Sequence, residues 1–344
     1  MIRSLRRLRC ALDDLYERYN RRQFVHPDPL EFLYLYDDPR DREIVAVIAA
    51  SLAYGRVAQI LRSVRDLLER MGPSPYVFLE RTSPRDLPEV LTGFRHRWTT
   101  GRQVADLLAG IRRVIDRYGS LGRCLSGGLH SEHDTILPAL SHLTEQLRPG
   151  DGRAGACTDL RVGGGAARDA GSCANRCAHR RNSLLPDVRA GSACKRLHLL
   201  LRWLVRRDAV DPGGWDDIPP RLLIVPLDTH MHRLGRALGL CDRRQADGRT
   251  ALALTAGFRA IQPDDPVRYD FALTRLGIRP ELDLAAFVAR VWTAGRSCPI
   301  LKGGVHGRRD RPPTSSYGTL NRGMAHGTDV QSGRSLRDGR TDRA

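Results

Sequence analysis

DREIVAVIAASLAYGRVAQILRSVRDLLER, residues 41–70, is the stretch that decides the fold class. Its apolar residues recur at helical spacing, and only Gly55 interrupts them. The longest apolar run, Ile44 to Tyr54, is about half of the roughly 20 residues needed to span a bilayer. It therefore reads as a core helix rather than a membrane span.

Working outward, the same period recurs at 104–118, 135–147, 195–207, 229–238, 250–261, 266–276 and 284–292. Asp228 stands where a helix N-cap belongs, and Asp265 followed by Pro266 is a second start signal. At the N-terminus, MIRSLRRLRCALDDLYERY places Leu5, Leu8, Leu12, Leu15 and Tyr19 on one helical stripe, and it lacks the continuous apolar stretch of a signal peptide. Leu222 to Val225 is the chief strand candidate, and no repeat period is visible. The expected architecture is all-α, with two helical lobes, 1–149 and 183–298, and a cleft between them.

Two segments break the pattern. Residues 150–182 and 299–344 are rich in Gly, Arg and small polar residues, with almost no large apolar ones. Such segments cannot bury enough apolar surface to offset chain entropy, so they are expected to be a disordered insertion and a disordered tail. Within the insertion, Cys157, Cys173, Cys177 and His179 have a spacing irregular for zinc, and no metal site or cofactor is expected.

The formal charge of +17 and pI near 10.3 point to an anionic partner, most simply nucleic acid, with strongly salt-dependent binding. Biased base composition in the gene is the alternative source of the arginines. Eight cysteines without a secretory signal suit reduced thiols and a cytoplasmic protein with no membrane association. Sequence leaves the oligomeric state open.

Only two of the 56 basic residues are lysines, Lys195 and Lys302. A neutral lysine amine can attack carbon, whereas a guanidinium cannot. In GSACKRLHLLLRWLVRRD, residues 191–208, Lys195 falls in the first turn of a helix, where unpaired backbone N–H groups disfavour an ammonium. A solvated lysine at a helix end is the plainer alternative. Arg202, Arg206 and Arg207 mark a basic side of the same helix that would suit phosphate. In PLDTHMHRLGRALGL, residues 226–240, Asp228 would cap a helix and so be a carboxylate of fixed position. His230 and Arg233 lie beside that helix's first N–H groups, where an anion would bind.

PLDTHMHRLGRALGL resembles the segment of helix-hairpin-helix DNA glycosylases that reads VDTH or VDVH before a leucine-rich helix. The wider chain is similar to an uncharacterised bacterial family distantly related to those enzymes. That similarity takes in DPLEFLYLYDDPRDREIVAVIAASLAYGRVAQI (28–60), GSACKRLHLLLRWLVRRDAVDPGGW (191–215) and DDPVRYDFALTRLGI (264–278). The resemblance implies a helix-hairpin-helix glycosylase-like fold acting on double-stranded DNA. Asp228 matches the catalytic carboxylate, and His230 a position that contacts phosphate. Lys195 follows Gly191 by four residues, as the Schiff-base lysine follows the first hairpin glycine. The second glycine is replaced by Ala193, and the 33-residue gap from Lys195 to Asp228 exceeds the usual spacing. Tyr54 and Arg56 match the element that frames a flipped nucleotide, with Tyr54 stacking in the duplex and Arg56 meeting phosphate. The four-cysteine iron–sulfur loop of some relatives has no counterpart, since Cys298 stands alone there.

The implied activity is excision of a damaged, flipped base, with or without strand cleavage at the abasic site. One alternative is a non-catalytic nucleic-acid-binding protein on the same scaffold. A remoter one is a metal-dependent amidohydrolase using Asp228, His230 and His232 after a strand at 222–225.

Overall fold

The computed structural model describes residues 2–148, 182–276 and 283–293. The expected insertion, the tail, the Cys157/Cys173/Cys177/His179 group and Cys298 lie outside them, apart from Asn182. Among the described residues there are thirteen α-helices and one two-stranded hairpin. In chain order the helices are α1 Ile2–Tyr19, α2 Pro39–Ser51, α3 Val57–Met71, α4 Pro75–Arg81, α5 Leu87–Val90, α6 Gly101–Tyr118, α7 Leu121–Gly127 and α8 Leu137–Leu147. After these come α9 Lys195–Val205, α10 Thr229–Ala237, α11 Gly248–Arg259, α12 Asp270–Arg275 and α13 Leu284–Thr293. The all-α expectation holds, and none of these helices is long and apolar enough to cross a membrane.

α2 lies at the centre because it has no polar face: Ile44 through Ala50 are all buried. A helix apolar on every side has to be surrounded by other elements. Its two buried carboxylates fix two of those neighbours. Asp41 accepts from Ser74 Oγ (2.8 Å) and the Tyr76 N–H (2.7 Å), which anchors the start of α4. Glu43 accepts from the Leu121 and Gly122 N–H groups at the start of α7 and from Trp215 Nε1 at 3.1 Å. Burial pushes the Glu43 carboxyl above its ordinary value, and these donors oppose the shift. Gly122 has to be glycine here, since a Cβ would stand 2.5 Å from the Trp215 ring.

A second buried network holds the C-terminal helices to α9. Arg202 bonds Asp211 (3.2 Å) and Asp270 (2.5 Å), while Arg206 bonds Asp208, Asp211 and Asp265. Arg202 is 2% and Arg206 4% exposed, so neither is available to phosphate, and the expectation of a basic binding face on α9 is corrected. Helical spacing alone could not tell a buried, carboxylate-matched arginine from a solvated one. Arg207, next along, is 64% exposed and does face solvent. Asp265 is likewise no N-cap. Its carboxylate is taken by Arg206, residues 266–269 form turns, and α12 starts at Asp270.

Three further differences from the sequence expectation stand out, and the first two have local causes. The 41–70 helix is two helices, α2 and α3, because Gly55 adopts φ +96° between them. Leu222 to Val225 forms no strand. The Val225 N–H goes to Thr255 Oγ1 (3.1 Å) and the Leu222 carbonyl to the Ile136 N–H (3.0 Å), so the run is a buried connector. Cys124, Cys194 and Cys241 are free thiols, as expected, but Cys10 is disulfide-bonded.

Removing one arginine of the buried network should leave carboxylates short of partners. Arg202→Met is expected to destabilise the protein by about 3–5 kcal/mol, the scale of a broken buried pair. Arg207→Ala should change stability by no more than about 0.5 kcal/mol. Urea unfolding followed by circular dichroism checks both.

Candidate active site

Lys195 opens α9, and the chain reaches it through two left-handed residues, Gly191 at φ +79° and Cys194 at φ +44°. A non-glycine residue in that region is strained by roughly 1–3 kcal/mol and persists only where its surroundings hold it. Here the Gly191 carbonyl accepts the Gly248 N–H at 2.8 Å, tying this turn to the start of α11. Asp228 caps α10 as its sequence position predicts, with Oδ1 accepting the Met231 N–H at 2.8 Å. Its other oxygen, Oδ2, lies 2.9 Å from Lys195 Nζ. Two residues 33 apart in sequence are thus brought together, each by the first turn of its own helix.

The pair is neither sealed nor fully solvated: the Lys195 and Asp228 side chains are 37% and 30% exposed. Burial disfavours charge on Asp228, but the Lys195 ammonium and the Met231 N–H outweigh it, and its pKa falls below the ordinary carboxylate value. An ionised carboxylate hydrogen-bonded to an accessible amine can accept a proton from it and can stabilise a cation formed beside it. His230, in the first turn of α10, adds positive potential at Asp228. It is partly buried, and its Nε2 has no hydrogen-bond partner among the described residues. Arg233 is exposed one turn further along.

The metal alternative finds no support in the geometry. His232 Nε2 is bonded to the Arg243 carbonyl at 2.8 Å, and among the described residues no three His, Cys, Asp or Glu side chains converge as metal ligands would.

Arg56 is exposed at the N-cap of α3. Tyr54 is held differently from the sequence expectation. Its hydroxyl bonds the His96 carbonyl (3.0 Å) and Thr99 Oγ1 (2.6 Å), and its ring stacks on Trp98 at 5.5 Å and 26°. It is a strut under the hairpin β1 Arg95–His96 and β2 Thr99–Thr100, and the exposed aromatic is Trp98. Sequence reasoning also passed over Arg196. Its guanidinium bonds the carbonyls of Ser51 (2.7 Å) and Ser183 (2.6 Å) and lies 5.2 Å from the Tyr54 ring centroid, joining the start of α9 to the end of α2. The basic tripeptide Arg95–His96–Arg97 just before Trp98 was the available signal; that of Arg196 was lost among the many arginines.

One family profile, described as a protein of unknown function (DUF2400), matches residues 28–279. The chain belongs to that family. The match spans α2 through α12, including Lys195, Asp228 and the Tyr54–Trp98 hairpin, as the extent of the sequence resemblance led one to expect. No curated protein and no solved structure matches the DUF2400 chain significantly.

Three residues after Lys195, His198 is 3% exposed, and its Nδ1 has no partner among the described residues. Burial lowers its pKa from 6.5 to about 4. The unfolded chain therefore takes up this proton well above the pH at which the native protein does. The contribution of neutral His198 is complete above about pH 6.5 and is lost as pH falls toward 4, a change on the order of 3 kcal/mol. His198→Leu should abolish this part of the acid-side loss, which unfolding midpoints at pH 7 and pH 4.5 measure.

Proposed function

We propose that this protein is a DNA base-excision glycosylase of helix-hairpin-helix type, with Lys195 as nucleophile and Asp228 as its catalytic carboxylate. The observation that carries the reading is the 2.9 Å contact between Lys195 Nζ and Asp228 Oδ2, with both residues at helix starts and partly open to solvent. The residue types, their helix-terminal settings and the resemblance of PLDTHMHRLGRALGL to the glycosylase segment agree. The high positive charge suits a duplex substrate, held in a cleft between two helical lobes.

The chemistry follows from the pair. A damaged base rotates out of the stack toward Lys195. The amine, having given a proton to Asp228, bonds to the anomeric carbon of the sugar as the glycosidic bond breaks and its electron pair leaves on the base. Asp228 passes that proton on to the departing base, and, ionised again, it stabilises the cationic character that develops on the sugar. Loss of a second proton from nitrogen with opening of the sugar ring gives a Schiff base, which water hydrolyses or which precedes elimination of the 3′ phosphate. His230 and Arg233, beside the N–H groups of α10, hold a backbone phosphate.

Borohydride trapping on duplexes containing abasic and oxidised-base sites tests the reading. Wild-type protein should give a covalent adduct and Lys195→Gln none, while Asp228→Asn should slow trapping by about 10²-fold or more, the range for a lost acid–base partner. Duplex binding without adduct or base release across the lesion panel overturns the enzymatic reading and leaves a binding protein on this scaffold.

A further inference from the structure

Trp98 is out of place for a core residue. It is 62% exposed, at the tip of the β1–β2 hairpin, whereas Trp203 and Trp215 are buried. The pairings Arg95 with Thr100 and His96 with Thr99 leave Arg97 and Trp98 as a two-residue loop. The first loop position needs positive φ and favours glycine, yet Arg97 occupies it at φ +54°. A strained, charged residue in a tight turn beside an exposed tryptophan is a departure from what folding alone would select.

The turn is also rigidly mounted. His96 is fully buried beneath it, with ring nitrogens bonded to Ser63 Oγ (2.9 Å) and the Tyr54 carbonyl (3.1 Å). Tyr54 supports Trp98 by stacking on it and by its two hydrogen bonds to the hairpin. The Arg97 guanidinium lies 4.4 Å from the Trp98 ring centroid, and its side chain runs over Gly55, where a Cβ would come within 2.8 Å of it. Residues 52–65 and 90–105 hold six arginines and no carboxylate, although Asp66, Glu89 and Asp106 border them and Arg102 is paired with Asp106. Arg196, next in sequence to Lys195, lies over the Tyr54 ring, so the platform is tied to the first turn of α9.

We propose that Trp98, with Arg97, is a stacking platform for an unpaired nucleobase, joined through Tyr54 and Arg196 to the start of α9 and held ready by Tyr54. An exposed π-face with the Arg97 guanidinium against it matches the two halves of a nucleotide, a flat base and an anionic phosphate. The platform deepens the nucleic-acid reading of the site: it receives a base exposed when the duplex opens, while Lys195 acts on the sugar.

The test uses the full chain and three oligonucleotides: a single strand, a duplex with one unpaired base and a fully paired duplex. Trp98 emission should be quenched by the first two and little changed by the third, and the quenched component should vanish in Trp98→Phe. Affinity for the single strand and the bulged duplex should fall about tenfold in Trp98→Ala, the scale of one lost base stack, and less than threefold in Trp98→Phe. Unchanged thermal melting of both variants establishes that the fold is intact, as the exposed position leads one to expect. Equal affinity of Trp98→Ala and wild type, or no quenching by any oligonucleotide, overturns the platform. Retained borohydride trapping with that result leaves the base-excision reading standing; quenching without trapping supports the platform and removes the catalytic assignment.

Discussion

The structure depends on one helix, α2, whose run from Ile44 to Ser51 offers water no face. Because that run is buried all round, it requires a ring of neighbours, and the two carboxylates before it, Asp41 and Glu43, determine where two of them begin. Each carboxylate satisfies N–H groups that would otherwise be stranded at a buried helix start. The enclosure and the hydrogen-bond requirement are therefore met by the same contacts. The helix ends at Ser51, whose carbonyl takes Arg196, and in this way the core sets the position of α9 and of Lys195 at its start.

Charge is used in two separate ways on α9. At its far end and just beyond, Arg202 and Arg206 are buried against Asp208, Asp211, Asp265 and Asp270, and burial pushes Asp211 up to about 6 even beside two guanidiniums. Such a cluster holds the elements after α9 in register, because any shift would strand a desolvated charge. At its near end, Lys195 and Asp228 form an ion pair that remains partly open to solvent. One helix thus carries a buried electrostatic anchor at one end and a solvent-accessible ion pair at the other.

The hairpin shows the same division of labour on a smaller scale. Tyr54, which sequence comparison suggested as the aromatic entering a duplex, spends its hydroxyl and its ring on holding the turn, and Trp98 takes the exposed position. Two-residue strands are too short to carry an alternating pattern, so this element was invisible to periodicity. Leu222 to Val225 erred in the opposite direction: a β-branched apolar run found no extended neighbour and became a buried connector.

The sequence by itself determined the helical class, the position of most helices and the capping role of Asp228, because these depend on local periodicity and on side chains bonding their own backbone. It also singled out Lys195, since a rare lysine among arginines stands out by chemistry alone. Only the tertiary structure decided that Lys195 meets Asp228, that Arg202 and Arg206 face inward, and that Trp98 rather than Tyr54 faces out. These are outcomes of tertiary packing, where partners such as Asp228, Asp265 and Asp270 lie dozens of residues away and leave no periodic trace in the chain.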